Sequence, residues 1–183
     1  MWIMRWSAIS ALMIGTIAAS ACATAPKTES GRRSLEARAD ATLESMRGRD
    51  PGLPGLLDSA YGYAVFPDVG KGGAVVGAAY GHGVLFERGQ LSGYVELNQG
   101  SIGAQLGGET FAELVVFHDR DAVDRLKAGT FEFGANASAI ALTTGAAARA
   151  TFTEGVAVFT EPKGGLMAEL TVSGQKLNYQ PRS

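Results

Sequence analysis

Beyond Tyr61 the chain sets glycines inside stretches of alternating apolar and polar residues, and no other feature limits its fold as much. Alternation of period two marks half-buried strands, while a glycine within a strand marks a bulge, a corner or a close backbone approach. Ile102, Ala104 and Leu106 alternate with Ser101, Gly103 and Gln105, and Leu166, Ala168, Leu170 and Val172 alternate with Met167, Glu169 and Thr171. Shorter stretches of the same kind predict strands at 63–66, 74–80, 83–88, 92–98, 112–117, 138–143, 149–153, 156–160 and 176–179. Many short strands interrupted by glycine imply a strongly bent, barrel-like antiparallel sheet.

Upstream the period changes. Leu35, Ala39, Leu43 and Met46 recur three and four residues apart, which predicts a helix with Ser34 as N-cap and Gly48 as C-cap. Asp50-Pro51-Gly52 breaks it, and a short second helix follows over 53–60 with Leu56 and Leu57 turned inward. Asp119 is placed to cap an inserted helix in which Ala122, Val123 and Leu126 share a face and which Gly129 ends. The expected class is α+β: N-terminal helices packed on a barrel-like sheet with one helix inserted.

The first 21 residues read as a signal peptide: one charge, Arg5, then an apolar run from Trp6 to Ala19 and the small residues Ala19, Ser20 and Ala21. The run is shorter than the roughly 18 to 20 apolar residues of a spanning helix. Cys22, directly after it, is the one cysteine of the chain. Ala19-Ser20-Ala21-Cys22 resembles the bacterial lipobox, which implies an acylated Cys22 as the mature N-terminus. The alternative is ordinary cleavage that leaves a thiol. Because Ala23 is not Asp, the resemblance implies an outer-membrane lipoprotein facing the periplasm. Residues 22–33, small and polar, read as a tether, and 34–183 as one domain. Without the leader, fifteen basic residues face eighteen acidic ones with no basic stripe, which argues against nucleic acid as a partner.

A catalytic constellation is hard to assemble. There are two histidines, His82 in a glycine-rich turn Tyr80-Gly81-His82-Gly83 and His118 at a strand end, and neither G-x-S-x-G nor H-E-x-x-H occurs. His118, Asp119, Asp121 and Asp124 match no metal-ligand spacing and read as a strand end running into a capped helix. Gly70-Lys71-Gly72-Gly73 fails the phosphate-loop pattern, since Val65 stands where the first glycine belongs and Gly72 follows the lysine. It reads as a tight turn after Pro67-Asp68, with Lys71 open as a contact for a lipid phosphate. No cofactor or metal is expected.

Tyr61-Gly62-Tyr63-Ala64-Val65-Phe66-Pro67, Gly70-Lys71-Gly72-Gly73, Tyr80-Gly81-His82-Gly83-Val84-Leu85, the run from Gly100 to Gly107, and Phe133-Gly134-Ala135-Asn136-Ala137-Ser138 follow one another in this order. The pattern, from about Leu53 to Tyr179, resembles the SYLF domain family. The resemblance implies a non-enzymatic domain that binds membranes containing phosphoinositides, through an N-terminal basic helix. Here Arg38, Arg47 and Arg49, with Arg32 and Arg33 upstream, are diluted by Glu36, Asp40 and Glu44. The functional expectation is a phospholipid-binding protein of the bacterial envelope, with Arg38, Arg47, Arg49 and Lys71 as contacts. Leu35, Leu43 and Met46 either face lipid or pack on the sheet. The alternatives are an envelope scaffold for protein partners and an enzyme built around His82 and Lys71. Oligomeric state is left open.

Overall fold

The computed structural model describes residues 25–73, 76–102, 108–134, 138–164 and 174–182. Cys22, the expected signal peptide and the alternating stretches at 103–106 and 166–172 lie outside these residues. Helices α1 (Glu29–Arg49) and α2 (Leu53–Ser59) precede strands β1 (Gly62–Gly73), β2 (Val76–Glu87), β3 (Gln90–Ile102) and β4 (Gly108–Phe117). Helix α3 (Arg120–Lys127), β5 (Ala139–Ala141), a 3₁₀ turn (Ala147–Arg149), β6 (Val156–Gly164) and β7 (Gln175–Pro181) complete the order.

The class is α+β, but the barrel is not formed. Seven strands make an open sheet in the order β5-β6-β4-β1-β2-β3-β7, antiparallel except that β5 runs parallel to β6. The sheet is nonetheless curled: Gln175 Nε2 on β7 donates to Glu113 Oε2 on β4 at 3.1 Å, although three strands separate them. Among the described residues β6 and β7 do not pair, and parts of the segment after α3 lie at both margins. Phe133 N–H donates to the Gln175 carbonyl at 3.0 Å on the β7 side, while β5 pairs with β6.

Two expected turns are strand. Gly70-Lys71-Gly72-Gly73 ends β1, and Tyr80-Gly81-His82-Gly83 lies within β2. Pro67 sits in a central strand because the register slips there: Phe66 faces Glu113 and Val69 faces Phe111, a bulge that needs no N–H from proline. Gly83 is glycine for space, since a Cβ there would stand 2.6 Å from Phe66 Cδ1. The strand expected at 149–153 is absent; that region holds the 3₁₀ turn and irregular chain.

Both faces of the sheet carry core. The concave face buries Phe66, Val69, Leu97, Phe111, Val115 and Leu177, and α3 covers it at one end with Ala122, Val123 and Leu126. The convex face buries Val65, Val84, Tyr94 and Leu114 under Leu35, Ala39, Leu43 and Met46 of α1. That helix starts at Glu29, earlier than its spacing predicts, because the Thr28 side chain accepts from Gly31 N–H at 3.1 Å. Ala25 is already buried in the core and α1 begins at Glu29, both within the stretch 22–33 expected as a tether. At the other end Asp50 collects the N–H groups of Gly52 (3.0 Å), Gly145 (3.0 Å) and Ala147 (2.6 Å), which ties α1, α2 and the 3₁₀ turn together. Those donors, the Ala147 N–H foremost, hold its carboxyl below the usual range despite burial. No helix among the described residues is long and apolar enough to cross a membrane.

Candidate functional site

Several chain ends converge beside the start of β1. The Tyr61 N–H donates to the Phe117 carbonyl at 3.0 Å, so the entry of β1 lies against the exit of β4, where His118 and Asp119 follow. Between β2 and β3 the chain reverses at Arg88 and Gly89, with φ of 48° and 74°. Two successive positive φ values are what a tight hairpin requires, and asparagine or glycine normally fills the first. An arginine there pays for a left-handed backbone, and its guanidinium lies over the Tyr61 ring, 5.2 Å from the centroid. The last turn of α1 brings Arg47 to the same place, and the end of α2 brings Asp58 and Ser59.

These residues line an open cleft of about 630 Å³ with Tyr63 in its wall. Arg47 Nη1 bonds Glu44 Oε1 at 2.6 Å, whereas its Nε is buried and has no hydrogen-bond partner. Asp119 Oδ1 is taken by the Ala122 N–H at 2.9 Å, as its capping role predicts. Burial raises the Tyr63 phenol above its ordinary value, which keeps it neutral beside Arg47. Two guanidiniums flanked by tyrosines can grip an oxyanion such as a phosphate through paired N–H donors, while Asp58 and the capping Asp119 on the same wall suit hydroxyl donors of a headgroup. The serine in the cleft, Ser59, donates to the Leu56 carbonyl at 2.8 Å, so it is not paired with His118 as an activated nucleophile would be.

The four expected contact residues do not meet. Arg38 pairs with Asp68 at 2.7 Å beside a separate recess of about 190 Å³ that Tyr80 and His82 share. Arg49 reaches Glu161 at 2.7 Å, and only Arg47 enters the large cleft. Lys71 is buried on the concave face, opposite Ala79 on β2. His82, three residues beyond Ala79, faces the other side of the sheet, so an active site uniting His82 with Lys71 is geometrically excluded. The apolar side of α1 packs on the sheet and offers nothing to lipid; Leu35, Leu43 and Met46 are at most 4% exposed. Arg120 pairs with Asp124 at 3.3 Å, and no group of three metal-ligating side chains gathers among the described residues.

Arg88, Tyr61 and Tyr63 were not singled out from sequence as contacts. Arg88-Gly89 between two alternating stretches was the available signal, as a hairpin dipeptide with arginine in place of asparagine.

Residues 98–181 match the family model Ysc84, described as Las17-binding protein actin regulator. That span begins near the end of β3, so the glycine and aromatic motifs at 61–67, 70–73 and 80–85 lie upstream of it. The chain is also 27% identical over 154 residues to Beta cell expansion factor A of Aeromonas veronii. The match takes in 82% of this chain and 58% of that protein's length.

Proposed function

We propose, from the premise that residues 98–181 carry a domain of the SYLF (Ysc84) family, that this protein binds phospholipid headgroups and catalyses no reaction. It works at the bacterial envelope, exported by residues 1–21 and held at the outer membrane, on the periplasmic side, by an acylated Cys22. The family is one of binding domains, and the observation that carries the reading is the Arg47–Arg88 cleft. The Arg47 side chain is 34% exposed and Arg88 is exposed, so both guanidiniums have donors to offer an anionic oxygen entering the cleft. Phosphoinositide-type headgroups, with an exposed phosphate monoester, suit such a cleft best. The covalent anchor provides most of the membrane affinity, so the cleft need add only weak selectivity. A protein partner is the other reading that the family description supports. Among the described residues, however, Tyr80 is the one large apolar side chain exposed, at 41%, which falls short of a docking patch.

The test is flotation of the chain lacking residues 1–21 and carrying Cys22→Ser, so that no acyl group contributes. Vesicles of phosphatidylcholine alone are compared with vesicles containing phosphatidylinositol 4-phosphate. Flotation with the second, lost in the double variant Arg47→Gln, Arg88→Asn, supports the reading. Flotation unchanged by the double variant, or absent with both compositions, refutes it.

A further inference from the structure

The unclosed margin of the sheet leaves a seam between residues 131–133, on the β7 side, and β5 with β6 on the other. A pocket of about 320 Å³ occupies it. Its apolar lining is Phe131, Phe133, Ile140, Val156 and Val158, four of which belong to the concave core. We propose that this seam binds the alkyl chain of a single-chain amphiphile with a zwitterionic phosphate head, an inference that rests on the lipid reading above.

Three observations carry it. The pocket is open to solvent at its polar rim, and its apolar wall can bury an alkyl chain away from water. The volume stands at the low end of small-molecule sites, which suits one chain and excludes a diacyl lipid. The rim is charged with both signs. Arg149 is exposed; its guanidinium makes a long hydrogen bond, Nη2 to Thr143 Oγ1 at 3.5 Å, and is attracted from behind by the Asp50 carboxylate. Glu132 and Glu154, also exposed, line the same pocket. A lone anion would meet both carboxylates, whereas a phosphate beside Arg149 with a cationic group beside the glutamates matches every charge.

The same Cys22→Ser chain, titrated calorimetrically with alkylphosphocholines of increasing chain length below their micelle concentrations, tests the proposal. One-to-one binding is expected to tighten about fourfold per methylene and then level off at the depth of the seam. Ile140→Trp fills the pocket and is expected to weaken binding at least tenfold. Should that variant fail to fold by thermal melt, Thr151→Trp at the exposed rim takes its place. Arg149→Gln is expected to weaken alkylphosphocholines severalfold and leave neutral alkyl glucosides unchanged. Absence of binding by the parent chain, affinity that never levels off, or indifference to the tryptophan variants overturns the proposal. The two readings fail separately: vesicle flotation without amphiphile binding overturns the seam alone. Amphiphile binding that persists while vesicles never float overturns the headgroup cleft alone.

Discussion

Glu113 makes the fold sensitive to pH in a direction opposite to that of most carboxylates. It is fully buried on the concave face, with Gln175 donating to Oε2 at 3.1 Å and Oε1 left without a partner. Burial pushes its carboxyl from 4.5 up to about 7, against the weaker opposing effect of the Gln175 hydrogen bond. Because the folded value lies above the unfolded one, the native state holds a proton that the unfolded chain has lost. Stability therefore falls as pH rises from 4.5 towards 7, and levels off above the folded value. A displacement of that size corresponds to about 3 kcal/mol at 1.36 kcal/mol per pH unit. Glu113→Gln keeps an acceptor for Gln175 and cannot ionise. Urea unfolding of parent and variant at pH 4, 5, 6, 7 and 8 is the assay. The stability of Glu113→Gln relative to the parent is expected to grow by about 3 kcal/mol across that range, most steeply between 5 and 7. A difference that stays constant with pH would refute the reasoning, for it would mean that Glu113 is hydrated or ion-paired in solution.

Asp50→Ala strands three backbone donors at the junction of α1, α2 and the 3₁₀ turn, and is expected to lower unfolding free energy by about 3 kcal/mol at pH 7. Since the folded carboxyl titrates below the usual range, the parent loses this advantage as pH drops through that range, so the gap measured in urea narrows in acid. Gly83→Ala forces a Cβ to 2.6 Å from Phe66 and is expected to destabilise by about 1–3 kcal/mol in chemical melts. Gly70→Ala, with nothing within 4 Å, is expected to be neutral or to stabilise by about 0.5 kcal/mol. Arg88→Asn exchanges a cation–π contact worth about 0.5–1 kcal/mol for a residue at ease with positive φ, so its melt is expected to match the parent while vesicle flotation falls.

Local devices were legible in the sequence. Asp119 caps α3 and Gly129 follows it with φ of 70°, because a cap and a left-handed stop act within one turn of chain. The apolar spacing of α1 was equally plain, but not the start of the helix, for Thr28 and Glu29 stand outside that spacing. Glycine inside strands was read correctly as a sign of curvature and wrongly as turns at 70–73 and 80–83. A glycine that ends a strand and one that makes room for a neighbouring side chain look alike until the neighbour, here Phe66 or Val69, is in place.

The residues themselves determined that helices would precede a glycine-punctuated, bent sheet, since period and capping are properties of short stretches of chain. Whether that sheet would close was decided by tertiary structure: among the described residues, hydrogen bonds at its margins join Phe133 to β7 and β5 to β6, and none joins β6 to β7. The use of the arginines was settled in the same way. Arg38 and Arg49 found Asp68 and Glu161, carboxylates remote in sequence, while Arg47 met Arg88, more than forty residues further along, at a shared cleft. Charge at a position is a property of the residue; the partner that neutralises it, or leaves it available, exists only once distant strands are side by side.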